Sequence, residues 1–388
     1  MIINIADNNY FKKVFGNQKF DLPIRWDGND FVYSLQCLYK EYVFNLCCQQ
    51  GEDCHLFALL QDDTHFTSRL KKCYQEKNCL VLKVRQICDD IIDVLKEYLK
   101  GFPDSAYKKF DKIMNTLIHT PIKIYPKSGW TDAFNGVDPL KLFRVVNVAE
   151  NINHPKTRIF HTPYNLRTKI GTNRYSIAGF PCLYLGTSLK LCLEELHSNP
   201  YEKYSISSRF QMERDMFKHD IQIDVLELGI KPQDFFENRE DDEFALRNRK
   251  VDGDLLQDNK VRKAYLLWYP IIAASSFIRA NKNDPFAPEY IIPQLLMQWI
   301  RKWSSNNPDK LLGIRYFSCS SQRASDLGFN YVFPTSGEAH EKSNNYCKIL
   351  VNSFKVSNPV FVHEFDEIEE CEYYLKSISS NELKYIYE

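Results

Sequence analysis

Thr172-Asn173-Arg174-Tyr175-Ser176-Ile177-Ala178-Gly179-Phe180-Pro181-Cys182-Leu183-Tyr184-Leu185-Gly186-Thr187-Ser188-Leu189-Lys190-Leu191-Cys192-Leu193-Glu194-Glu195-Leu196 is the stretch on which the reading of this chain turns. The apolar run Cys182 to Leu185, placed after the Ala178-Gly179-Phe180-Pro181 punctuation, predicts a short strand. Ser188 stands where a helix N-cap belongs, with Leu189, Cys192, Leu193 and Leu196 at helical spacing behind it. Arg174 precedes both on a segment read as extended. Glu194 and Glu195 lie about 100° apart on such a helix, so only one of them need share a cleft with Arg174. Spacing alone leaves two readings open: a cation and an anion brought to one cleft, or a solvent-facing glutamate pair on an amphipathic helix.

The same residues resemble the signature of the RES domain family, named for an arginine, a glutamate and a serine. Its longer members carry Arg-Tyr-Ser-Ile-x-Gly-x-Pro-Cys-Leu-Tyr-Leu-Gly, which residues 174–186 match almost letter for letter. Counting on from Tyr184 as the family pattern does places its glutamate at Glu195 rather than Glu194. Leu142-Phe143-Arg144-Val145-Val146 is similar to the opening strand of these domains, whose arginine points into the cleft. His161-Thr162-Pro163-Tyr164 is similar to their Phe-His-x-Pro-Phe segment. Gly313-Ile314-Arg315-Tyr316-Phe317-Ser318 resembles the segment supplying the serine, so Ser318 is the matching position, with Ser320 and Ser321 close by. Short family members have Trp-Asn where this chain has Tyr175-Ser176, and they lack its N-terminal part. The likeness runs from Leu142 to Val362 and is dense at 161–196 and 289–318.

The chain has 388 residues, which makes two domains the natural expectation. Lys plus Arg and Asp plus Glu number 50 each, so there is no net field to favour nucleic acid or an anionic membrane. The first ten residues show no basic segment followed by an apolar core, and the apolar run 265–278 is interrupted by Pro270 and too short to span a bilayer. A soluble cytoplasmic protein is the expectation. Reduced thiols are then the reading for the 12 cysteines. Seven of them, Cys37, Cys47, Cys48, Cys54, Cys73, Cys79 and Cys88, fall in the first quarter. Cys37, Cys47, Cys54 and His55 could gather round a zinc ion, but no Cys-x-x-Cys pair occurs, and buried apolar thiols are preferred, so no metal is expected.

Val84, Ile87, Cys88, Ile91, Ile92, Leu95, Tyr98 and Leu99 form one apolar stripe stopped by Gly101 and Pro103, and a second helix is expected from near Ser105, with Tyr107, Phe110, Ile113, Met114 and Leu117 inward. The breakers between Pro121 and Pro139 suggest a boundary, giving a mainly helical domain over 1–137 and a mixed domain over 138–388, α+β in class. Strands are expected at 204–212, 221–228, 346–351 and 360–362, and a solvated charged loop at 237–243. Residues 265–277 read as a buried helix, or as a strand and helix broken at Pro270. A helix with Pro293 in its first turn follows.

The resemblance implies an ADP-ribosyltransferase-like fold that consumes NAD, by phosphorolysis, hydrolysis or ADP-ribosyl transfer to a protein. Phosphate is a co-substrate in the first case. It also implies a toxin or anti-phage effector restrained by an antitoxin, another inhibitory protein, or its own N-terminal domain. A catalytically silent partner-binding module is the competing reading, and homo-oligomerisation is left open. Arg144 and Arg174 would hold the pyrophosphate through bidentate forks, and Tyr175 and Tyr184 would offer flat faces to a ring. Glu195 would stabilise the cationic ribose, and Ser318 would bind carboxamide or ribose. His161 is a candidate substrate contact, ranked behind a local hydrogen-bonding role.

Overall fold

The computed structural model describes residues 8–48, 80–119, 123–124, 140–212, 223–236, 256–306, 310–335 and 345–388. Helices α1 (Asn8–Phe15), α2 (Phe31–Cys48), α3 (Leu80–Leu99) and α4 (Pro103–Leu117) come first. Strands β1 (Lys123–Ile124), β2 (Lys141–Asn147) and β3 (Cys182–Gly186) lead to helix α5 (Leu189–Leu196), then β4 (Ser205–Met212) and β5 (Ile223–Leu228). Helices α6 (Asn259–Ala274) and α7 (Ile291–Asn306) precede β6 (Lys310–Phe317) and β7 (Phe329–Pro334). Strands β8 (Phe354–Val356) and β9 (Val360–Phe361) and helix α8 (Ile368–Ser377) close the chain. The class is α+β, as expected. Among the described residues no helix is long and apolar enough to cross a membrane.

Two compact units divide the chain, but not at one point. Met1–Ile122, Lys231–Asn238 and Val251–Leu295 form the first, and Lys123–Ile230, Arg239–Lys250 and Leu296–Glu388 the second. An interleaved division thus takes the place of the single boundary expected at 137/138. The cause is α6, assigned from sequence to the second domain: its residues 264–274 are buried, and it packs against α3 within the first unit.

In the first unit the predicted stripe of α3 is buried from Val84 to Leu95, with Leu80, Val81 and Val94 added to it, while its last members differ from the expectation: Tyr98 is half-buried and Leu99 exposed, at the end of the helix. Gly101, at φ +91°, ends that helix in a backbone conformation that side chains disfavour. Pro103 opens α4, where its missing N–H costs nothing. Pro270 does not break α6. A proline there leaves the carbonyl four residues earlier, that of Leu266, without its helical donor, and the Tyr42 hydroxyl donates to that oxygen at 2.7 Å. Tyr39 donates likewise to the Pro270 carbonyl at 2.6 Å. Tyr42→Phe is therefore expected to cost about 1–3 kcal/mol in urea unfolding, the price of a buried carbonyl with no donor, and an unchanged midpoint would contradict this account.

Nine strands among the described residues form one sheet in the order β1-β5-β6-β7-β3-β2-β4-β8, with β9 also on β4. Only β5 and β6 run parallel, and between them the chain crosses over through α6 and α7, as a parallel pair requires. β2 pairs with β4 at seven positions and β3 with β7 at five. β2 and β3 meet only at Phe143 and Gly186, so the sheet opens between them. Helix α5 covers one face: Leu189, Cys192 and Leu193 pack with Phe143, Val145, Val362, Cys371 and Leu375. Its Leu191 packs with Ala324 and Leu327.

One expected strand is a helix. Residues 346–351 lead into a helical turn at Lys348–Ser353, and the strand follows at β8. The buried residues Cys347, Leu350, Val351 and Phe354 recur at helical rather than alternate spacing, which the apolar content had masked. The charged run 237–243 lies outside the described residues. So do Cys54, His55, Cys73 and Cys79, and the side chains of Cys47 and Cys48. Cys37 is exposed, whereas Cys88, Cys182, Cys192, Cys319, Cys347 and Cys371 are buried free thiols. Among the described residues no group of three or more His, Cys, Asp or Glu could hold a metal.

Candidate functional site

Ser188 caps α5 as its sequence predicted. Its hydroxyl accepts the Leu191 N–H at 3.2 Å and donates to the Leu327 carbonyl at 2.7 Å. A second free donor, the Leu189 N–H, is taken by the Glu372 carboxylate of α8 at 2.7 Å, a favourable charge at a helix start. Gly186 lets this helix sit close to the sheet: a Cβ there would lie 2.7 Å from the Cys192 Sγ. The helix ends at His197, a left-handed residue at φ +47°.

That placement separates the two glutamates. Glu195 is exposed on the last turn of α5, and its Oε1 accepts a hydrogen bond from the Asn330 side chain of β7 at 2.6 Å. Glu194 makes no side-chain hydrogen bond among the described residues. The registers Gly186 to Asn330 and Asn330 to Tyr316 align these positions across β3, β7 and β6, and residues paired in this way share a face. Burial, then the Glu195 carboxylate, pushes the Tyr316 hydroxyl well above its ordinary value, while Arg174 pulls it the other way. Contacts link both residues to this phenol: Asn330, in register with Tyr316, binds Glu195, and Tyr175, next to Arg174 in the chain, packs on the Tyr316 ring.

Arg174 does not sit on an extended segment, as the sequence suggested. Asn173 and Ser176 exchange backbone hydrogen bonds of 2.9 and 3.2 Å, so Arg174 and Tyr175 occupy the tip of a tight turn. Ser176 and Asn173 are the polar types that close such turns. The Tyr184 hydroxyl pins this turn to β3 by donating to the Ser176 Oγ at 3.1 Å. Tyr175 offers no open face to a ligand: it is 1% exposed and packs on Tyr316 with ring centroids 4.7 Å apart. It is a wall against Tyr316, whereas Tyr184 is half-buried.

Arg144 lies where β2 and β3 part. It donates to the Tyr184 carbonyl at 2.9 Å, and its Nε is buried without a partner. Burial pulls its guanidinium down to about 10, so it remains a cation at neutral pH. Ser318, just beyond β6, is fully buried; its Oγ meets the Ser320 Oγ at 3.0 Å and accepts the Ser320 N–H at 3.2 Å. The two serines form one unit, of which Ser320 is the more accessible.

His161 takes the local hydrogen-bonding role that ranked ahead of a substrate contact. It is fully buried, its Nδ1 faces the Thr162 carbonyl at 2.9 Å, and its Nε2 accepts the Cys347 N–H at 2.9 Å. Both ring nitrogens are thus committed to backbone, in the neutral tautomer with the proton on Nδ1. Burial pushes the ring down to about 4 from 6.5. A folded value below the unfolded one means stability present above about pH 6.5 and lost as pH falls towards 4, by at most ~1.4 kcal/mol per unit. Between pH 7 and 5 the thermal midpoint should fall less in His161→Gln than in the wild type, although the variant is less stable at pH 7. Parallel slopes would contradict this.

Sequence reasoning had no role for Tyr316, which stood inside a quoted motif, or for Asn330. Only strand register reveals the latter.

Comparison with known proteins adds one relative. The chain is 28% identical over 348 residues to "Putative toxin YopC" of Bacillus subtilis (strain 168), an alignment covering 88% of this chain and 68% of that protein. No protein-family model matches. No solved structure matches either.

Proposed function

We propose that this chain is a toxin that consumes NAD by breaking the bond between nicotinamide and ribose. The observation carrying the proposal is the convergence on Tyr316 of two features: Asn330, its register partner, holds Glu195, and the turn bearing Arg174 packs Tyr175 on its ring, with Tyr184 joining that turn to Arg144 where β2 and β3 part. Two supports stand with it: the match of residues 174–186 to the RES signature, and the name of the Bacillus relative. The relation to the ADP-ribosyltransferase fold is part of the same proposal.

The chemistry follows from the residue types. Arg174 and Arg144 present guanidinium forks suited to a pyrophosphate. Loss of nicotinamide moves the glycosidic electron pair to the ring nitrogen and leaves positive charge on the ribose, as in glycoside cleavage. A carboxylate at Glu195 stabilises that charge more than it stabilises intact NAD, which is the condition for acceleration. Because the leaving ring starts as a cation and departs neutral, no general acid is needed. Water would then bond to the ribose carbon and release a proton, or a phosphate oxygen would take its place. The Ser318 and Ser320 pair would supply a hydroxyl to the carboxamide or ribose rather than a nucleophile, since among the described residues neither hydroxyl is hydrogen-bonded to a histidine that could act as its base.

An activity of this kind needs restraint, so an inhibitory protein partner belongs to the proposal. Expressing the chain in bacteria should arrest growth and lower cellular NAD within the same interval. Arrest with NAD undiminished would overturn the NAD reading while leaving a toxin. Label transferred from NAD onto protein would redirect the proposal to ADP-ribosyl transfer.

A further inference from the structure

Resting on that reading, we infer that Asn330 is a positioning residue that fixes the Glu195 carboxylate, committing one oxygen to itself and leaving the other for the ribose. Glu195 stands on the exposed final turn of an eight-residue helix, where a glutamate side chain is ordinarily free to sample several rotamers. Its Oε1 is instead held at 2.6 Å by the Asn330 amide, a short, charge-assisted bond. Among the described residues its Oε2 takes no hydrogen bond.

Asn330 can act as an anchor because it is itself fixed. It is 5% exposed in the interior of β7, with register partners on both sides, Gly186 in β3 and Tyr316 in β6. Gly186 matters for the reach of this contact, since the close seat of α5 above it brings the last turn down to the sheet. A carboxylate that must meet developing charge on a ribose gains from being held before the substrate arrives, because no reorganisation is then left for the transition state. An amide suits the task better than a lysine or arginine would, because it orients the carboxylate without neutralising it.

The test exploits the near identity in shape of asparagine and aspartate. Asn330→Asp keeps the volume but replaces the donor with a second carboxylate facing Glu195, whereas Asn330→Ala only removes the donor. If Asn330 positions Glu195, kcat for nicotinamide release should fall about 10-fold in the alanine variant and about 100-fold in the aspartate variant, with the NAD dissociation constant little changed. A packing role predicts the reverse order, with aspartate milder than alanine, and that order would overturn the inference. Side-chain amide resonances in nitrogen-15-labelled protein give a reading independent of NAD. The Asn330 amide should shift in Glu195→Ala and not in Glu194→Ala, and an equal response in both would overturn the pairing. A wild-type protein that releases no nicotinamide but shows the selective shift would sink the NAD reading and leave the contact standing.

Discussion

Glu195→Ala is expected to lower the rate of nicotinamide release by about 10²–10³-fold, the loss typical of removing one preorganised electrostatic group, while Glu194→Ala keeps most of it. Adjacent glutamates on one helix differ so much because α5 turns them to different surroundings. Glu195 reaches Asn330 and bears on Tyr316, and Glu194 has neither contact. The loss should appear in kcat rather than in NAD affinity, since the carboxylate meets a charge that exists only as the bond breaks. Steady-state kinetics of the two variants decide the matter, and equal rates would contradict the assignment of Glu195.

The largest effect on stability is expected at Glu227. This carboxylate is 1% exposed on β5, in register with Arg315 of β6. The Arg315 Nε donates to it at 2.6 Å, a second guanidinium nitrogen joins the same oxygen, and the Gly229 N–H binds the other. The Arg315 guanidinium also lies over the Phe329 ring at 4.3 Å. Burial pulls the arginine down, but Glu227 more than offsets this, so it stands above its ordinary value. Glu227→Gln leaves that cation without its counter-charge, which costs about 3–5 kcal/mol. Urea unfolding at pH 7 measures it. Replacing both residues with methionine should recover most of the loss, because the desolvation of two charges is then removed together. A single variant within about 1 kcal/mol of wild type would contradict this account.

Much of the second unit was legible in the sequence because its signals are local. The strand at Cys182–Gly186, the Ser188 cap and the helix behind it follow from apolar runs, a turn and one hydroxyl. Long-range pairing was not legible. Asn330 looks like any polar residue in a strand until register sets it opposite Gly186 and Tyr316. Whether Pro270 breaks its helix stayed open because the sequence does not say that Tyr42, 224 residues away along the chain from its acceptor, supplies the missing donor. The same limit misassigned α6 to the second domain. Side chains were harder to place than elements. Tyr175 was read as a stacking face and is a buried wall, whereas His161, ranked first as a local hydrogen-bond partner and only second as a substrate contact, does bind two backbone groups.

The most direct test of the central claim is to incubate the purified 388-residue chain with NAD and follow free nicotinamide, with and without phosphate, beside Glu195→Ala. The account predicts release that requires Glu195. A rate that rises with phosphate and yields a phosphorylated ADP-ribose would identify phosphate as the acceptor, and a phosphate-independent rate would identify water. Nicotinamide release that is absent from the wild type, or undiminished in Glu195→Ala, would contradict the account.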